Sequence, residues 1–220
     1  VSGPAHGTLT IVGDGTVTYT HDGGEDTSDS FTYTVTDKVG NVSTNTATVT
    51  LNITPVNDAP VISNLNGETL GYEIGGGAQQ IDSGLAAVIT DADSTNFELG
   101  TLLVDYPAGS TGSDVLTVNN QGIGAGQIGV IGTVVTYGGI AIGNIDLVND
   151  GNGGNPLEIN FLSTATPEAV SALLQNIYYE NSGSASFSTS INFTLTDGDG
   201  GTSEPATVFI QTELKAIDDT

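Results

Sequence analysis

The stretch Ser30-Phe-Thr-Tyr-Thr-Val-Thr36 decides the fold class. Apolar Phe31, Tyr33 and Val35 alternate with hydroxyl-bearing residues, the period-two pattern of a strand with one buried and one wet face. β-branched and aromatic side chains suit a pleated surface. The pattern recurs over residues 8–12, 16–20 and 46–53, with Gly, Asp and Asn turns between the runs. It predicts antiparallel β structure with an inner face of Leu9, Ile11, Val17, Tyr19, Phe31, Tyr33, Val35, Val49, Leu51 and Ile53.

Pro55-Val-Asn-Asp-Ala-Pro60 ends this pattern. Its two prolines fix φ and restrict the residues before them, so the segment reads as stiff and extended. It divides the chain into residues 1–56, a linker at 57–60, a larger unit at 61–215 and a new start at 216–220. Strand patterns return after the linker at lower density, including 87–90, 99–105, 140–142 and 157–161. One helix is expected after Thr166, a good N-cap followed by Pro167 and Glu168, with Val170, Leu173 and Leu174 on one face. The whole reads as all-β with one short helix in the second unit.

Twenty-six acidic residues face two basic ones, for a formal charge of -24. With only Lys38 and Lys215, nucleic acid and anionic membranes are excluded as partners. No run approaches the ~20 apolar residues of a membrane helix. The chain has no cysteine, so neither disulfides nor thiolate metal sites are available. The acids are not spread over outward strand positions, as plain surface acidity predicts. They gather at strand ends, at Glu25-Asp26, Asp37, Asn57-Asp58, Asp91 and Asp93, Asp197 and Asp199, and Asp218-Asp219. Oxygen donors gathered in this way suit a hard divalent cation. The competing reading is that these acids cap turns through Asx hydrogen bonds.

Taken in order, Glu25-Asp26, the strand at 30–36, Asp37-Lys-Val-Gly-Asn41 and the Asn57-Asp58-Ala-Pro60 linker resemble the second half of a cadherin-like domain. Val1-Ser-Gly-Pro-Ala-His-Gly-Thr-Leu-Thr10 resembles the middle of the cadherin-like repeats of giant bacterial surface proteins and RTX adhesins. Thr90-Asp-Ala-Asp93-Ser, Asn176-Ile-Tyr-Tyr-Glu-Asn181 and Phe193-Thr-Leu-Thr-Asp-Gly-Asp-Gly-Gly201 resemble another repeat of the same proteins. The resemblance implies tandem cadherin- or immunoglobulin-like antiparallel β-sandwiches, secreted and displayed at the cell surface. It implies Ca2+ held by Asn57, Asp58, Asp91, Asp93 and Asp197 or Asp199, with Asp37, Glu25 and Asp26 completing adjacent sites. Glu73 matches an early glutamate serving a further junction, and Asp218-Asp219 begin the next linker. The expected role is a Ca2+-rigidified extender in adhesion and biofilm formation, its partners being neighbouring repeats of the same chain. The opening strands of the first repeat are missing from the pattern, so the exposed sheet edges in 1–54 are expected to pair with a neighbouring chain.

The alternative function is Ca2+-dependent recognition of a polysaccharide or protein by the second unit, with Tyr106 and Tyr137 as contacts beside the glycine-rich region 119–155. Gly124-x-Gly126-x-x-Gly129 matches a dinucleotide fingerprint, but a strand pattern follows it, so no helix N-terminus awaits a phosphate. Asp150-Gly-Asn-Gly-Gly-Asn155 has the composition of a calcium-binding nonapeptide repeat without its repeated order. His6 and His21 have no nucleophile or cysteine nearby in sequence. No catalytic residues are assigned, and the chain is read as a non-enzyme.

Overall fold

Strands form where the alternation is strongest. In the computed structural model, which describes residues 2–13, 15–183 and 188–214, the chain divides into two compact units, Val1–Val56 and Asn57–Thr220. Asp218-Asp219 and the expected start at 216–220 lie outside the described residues.

Unit 1 holds two antiparallel ribbons. The strands β1 (Gly7–Ile11) and β2 (Val17–His21) form one, and β3 (Ser28–Tyr33) and β4 (Ala47–Asn52) the other. The predicted inner face does share one side: Leu9, Ile11, Val17, Phe31, Tyr33 and Val49 line a common groove of about 500 Å³. It is not a buried core. Phe31 alone of the ten is buried, while Ile11 is 57 % and Val35 61 % exposed. Alternation assigns side chains to a face; burial needs a second layer over it, and two two-stranded ribbons supply little.

A polar tie binds the ribbons instead. Asp29 on β3 is 6 % exposed. Its carboxylate accepts from Ala5 N and His6 N, both at 2.9 Å, and from the Tyr19 hydroxyl of β2 at 3.0 Å. Ser30 N donates to it as well, at 2.7 Å. Burial by itself would raise the Asp29 pKa, but these donors outweigh it and bring the value down to about 2.

Unit 2 contains most of the core. Its largest sheet has eight strands in the order β11 (Ile128–Ile131), β12 (Val134–Tyr137), β13 (Ile140–Asp150), β14 (Leu157–Phe161), β9 (Thr101–Asp105), β16 (Ser188–Leu195), β17 (Ala206–Leu214) and β6 (Thr69–Ile74). All neighbours are antiparallel except β17 and β6, which run parallel. A three-stranded sheet, β10 (Asp114–Val118), β15 (Ile177–Asn181) and β7 (Gln79–Gln80), shares its core, and β5 (Val61–Ser63) pairs with β8 (Val88–Thr90). Inward Leu102, Val104, Ile159, Phe193 and Val208 have no exposed surface. Tyr72 of β6 meets Tyr179 of β15 edge-on, with ring centroids 5.0 Å apart.

The helix α1 (Pro167–Leu174) is capped by Thr166, whose hydroxyl accepts from Ala169 N, and it buries Ala169, Val170, Leu173 and Leu174. Only Gln175 and Asn176 separate it from β15, as its position before a strand pattern predicts. Several strand bounds differ from expectation, that of the run at 30–36 among them, which is observed as Ser28–Tyr33. The run at 140–142 extends to Asp150, because Asp146 accepts from Val148 N and Asn149 N and forms a bulge that hides the alternation. The run at 99–105 starts only at Thr101: Leu99 has φ 65° and is 83 % exposed, a turn conformation that its apolar character masks.

A carboxylate held below its ordinary value takes up a proton more readily unfolded than folded. Unit 1 is therefore expected to lose stability as pH falls from 3.8 toward about 2. The ring resonances of His6 and His21, both in unit 1, should collapse to unfolded positions over that window, and Asp29→Asn should reduce this acid step to the part that Asp37 contributes.

Candidate metal centre

The expected ligands of the second unit lie on two aspartate turns at one end of it. The first follows β8, where Asp91 Oδ1 accepts from Asp93 N at 3.2 Å and Ser94 N at 3.0 Å. The second follows β16. Asp197 Oδ1 accepts from Asp199 N at 2.8 Å, Gly200 N at 3.0 Å and Gly201 N at 2.9 Å, and Thr196 bridges to Thr202 across the turn. Gly200, at φ 118°, supplies a conformation closed to other residues. Both aspartates thus cap their turns.

The segment 57–60 lies on these turns. Asn57 Nδ2 donates to Asp197 Oδ2 at 2.8 Å, and Asp58 N donates to Asp93 Oδ2 at 3.3 Å. Pro60 is buried. Asp93 and Asp199 also line one cleft of about 260 Å³ with Glu98. Asn57, Asp58, Asp91, Asp93, Asp197 and Asp199, up to 142 positions apart in sequence (57 to 199), therefore meet at one end of one unit.

Their electrostatics diverge. Burial would raise the Asp197 pKa, but the Asn57 amide and the backbone N–H groups of Asp199, Gly201 and Gly200 bring it below the ordinary carboxylate range. Burial pushes Asp91 up; Ser94 N opposes this, and the neighbouring Asp93 adds to the rise. Asp91 Oδ2 is sealed from solvent with no hydrogen-bond donor. No Lys, Arg or His occurs among the described residues of unit 2, so no basic side chain there offsets that charge. A buried, unmatched carboxylate oxygen is the feature that a bound cation would satisfy. The donors are all oxygen, which fits a hard cation such as Ca2+ and not zinc. Among the described residues no three Asp, Glu or His side chains converge closely enough to hold a metal ion. A cation here would take carboxylates in smaller number and complete its shell with carbonyl oxygens and water.

The other expected residues lie elsewhere. Within unit 1, Glu25 and Asp26 are half-buried, and Asp26 Oδ2 sits 2.6 Å from His6 Nδ1. Both Asp37 oxygens accept hydrogen bonds within its own turn. Glu73 is exposed on β6. Tyr106 is not on a binding loop: it continues the inward alternation of Leu102 and Val104, is 9 % exposed, and has a sealed hydroxyl. Tyr137 is half-buried, and its hydroxyl donates to Glu168 at 2.8 Å. The Tyr106 ring is therefore not presented as expected for a ligand contact. Gly124 and Gly126 sit in the turn before β11, where Gly124 N donates to Gln127 Oε1, so they serve a tight β connection.

One acidic pair carried no sequence signal. Asp82 is 5 % exposed, accepts from Ala87 N at 2.8 Å and leaves Oδ1 sealed without a donor. Glu68 braces the same loop by accepting from Ser83 N and Gly84 N. Fourteen positions separate the two acids in sequence, so only the folded chain brings them to one loop.

A hydrogen bond to a charged group contributes about 1.5–3 kcal/mol. Asn57→Ala, which leaves Asp197 Oδ2 to Gly201 N, is expected to destabilise unit 2 by roughly the lower end of that range. Chemical denaturation followed through the unit 2 tyrosines measures it.

Residues 1–55 match the family model of the bacterial cadherin-like domain. No curated protein matches the chain. Unit 1 is therefore similar to a cadherin-like repeat, a kind of module that serves structure and adhesion and not catalysis, and unit 2 follows it with a second, larger all-β architecture.

Proposed function

We propose that this chain is a calcium-binding repeat region of a large bacterial surface adhesin, secreted and acting as an extender in cell adhesion and biofilm formation. The match of residues 1–55 supports the adhesion-type repeat. Among the described residues no helix is long and apolar enough to cross a membrane. The observation that carries the calcium reading is the sealed, donorless Asp91 Oδ2 at the end of unit 2 where five further oxygen-bearing side chains gather.

Ca2+ accepts about six to eight oxygens in irregular geometry. Asp91 and Asp93 would supply carboxylate oxygens from one turn, Asp197 and Asp199 from the other, and Asn57 and Asp58 from the segment that enters the unit. Bound there, the ion would replace repulsion between carboxylates with shared ligation. It would also pin residues 57–60 to unit 2 and stiffen the chain where it enters the repeat. Neighbouring repeats of the same chain are the partners this role implies.

Binding to the folded state alone stabilises by mass action, by about 2.7 kcal/mol at 100 times Kd. Calorimetry of the whole chain in millimolar Ca2+ and in EDTA is expected to show a higher unfolding temperature with Ca2+. Asp91→Asn should remove most of that rise. Identical transitions in Ca2+ and EDTA would refute the reading.

A further inference from the structure

The two units contain the same aspartate turn, with most of its hydrogen bonds in common. In unit 1, Thr36 bridges to Val42, Asp37 N donates to Asn41 O, and Ser43 N donates to Val35 O. In unit 2, Thr196 bridges to Thr202, Asp197 N donates to Gly201 O, and Ser203 N donates to Leu195 O. A serine hydroxyl on the returning side accepts an N–H from the segment before the turn in each, Val35 N to Ser43 Oγ at 3.2 Å and Leu195 N to Ser203 Oγ at 3.0 Å. Oδ1 of the aspartate accepts from the residues two and four positions on, and a positive-φ glycine, Gly40 or Gly200, stands third. The shared pattern is Thr-Asp-x-x-Gly-x-x-Ser.

The turns differ in what satisfies the second oxygen. Asp37 Oδ2 accepts from Asn41 Nδ2 at 2.8 Å, inside the turn. Asp197 Oδ2 accepts from Gly201 N at 3.1 Å, and its side-chain donor is Asn57 Nδ2 at 2.8 Å, from 140 residues away. The position of Asn41 is taken in unit 2 by Gly201. A Cβ built at Gly201 would collide with Asp197 Oδ2 and lie 2.8 Å from both Asn57 Nδ2 and Ala59 Cα. The missing side chain is the space in which the incoming segment lies. Gly201 is not among the positive-φ glycines, so its backbone does not demand glycine; the Asp197 carboxylate held by Asn57, together with the docked segment, does.

We infer that the residue four positions after the turn aspartate decides whether this turn is closed on itself or is a socket for an asparagine from another segment. Asn41 closes the turn of unit 1, and Gly201 opens that of unit 2 to Asn57. The socket recognises a primary carboxamide on an extended backbone thin enough to pass over a glycine. Asp37 Oδ2 is thereby engaged by a side chain of its own turn, whereas the side-chain partner of Asp197 Oδ2 comes from the incoming segment. The inference rests on hydrogen bonding and shape and holds whether or not the proposed Ca2+ binds.

The test exchanges the two residues in the full chain and reads side-chain amides by 1H–15N NMR in EDTA. In Gly201→Asn, the Asn57 amide signals are expected to move to solvent-exposed positions with loss of slow exchange, while a new protected side-chain amide appears at position 201. An Asn57 amide that keeps its position and protection would overturn the inference. The reciprocal variant serves if Gly201→Asn does not fold. Asn41 is the largest cause of the lowered Asp37 pKa, so Asn41→Gly should let the Asp37 carboxyl titrate higher, toward its ordinary range. An unchanged Asp37 titration would count equally against it. Failure of the Ca2+ reading would appear separately, as equal stability in Ca2+ and EDTA with the amide exchange intact.

Discussion

Backbone N–H groups, not basic side chains, carry the electrostatic load in this protein. With two bases for twenty-six acids, ion pairing cannot neutralise the carboxylates. Asp29, Asp37, Asp91, Asp146 and Asp197 each gather two or more main-chain donors. For Asp37 and Asp197 the donors come from a tight turn that a positive-φ glycine completes, so there glycine and acid occur together for one physical reason. A carboxylate accepting several N–H groups is favoured in its charged form, which is why Asp29, Asp37 and Asp197 all sit below their ordinary range.

Sites stand out where that supply of donors ends. Asp91 and Asp82 each keep one sealed oxygen without a donor, and burial raises both. Turn capping and cation binding are therefore not rivals at Asp91. Its Oδ1 caps the turn, and its Oδ2 is the remainder that turn capping leaves unmatched. The same economy explains the segment at 57–60: Asn57 and Asp58 bring two N–H donors to turns that have exhausted their own.

The two units show how far a strand pattern reaches. In unit 1 the alternating residues share a groove but stay largely open, and a buried carboxylate with four donors ties the ribbons together. In unit 2 the eight-stranded sheet, the three-stranded sheet and α1 enclose a continuous core. There the alternation becomes burial, and it draws in Tyr106, whose polar hydroxyl suggested an exposed contact. Leu99 shows the reverse, an apolar residue that a positive-φ turn holds in solvent.

Local chemistry in the sequence determined the strands, the Thr166 cap and helix, the break at Pro55–Pro60 and the turn aspartates, because each depends on neighbours within a few positions. Acids at strand ends were legible as clusters for the same reason. Tertiary structure alone decided which clusters meet. Asn57 reaches Asp197, Asp58 reaches Asp93 and Asp82 faces the loop held by Glu68 only once strand order and register are set. It also decided that Asn41 and Gly201, unremarkable in sequence, make one turn closed and the other open. A hydrogen bond acts over about 3 Å, and no local pattern states which residues folding brings within that distance.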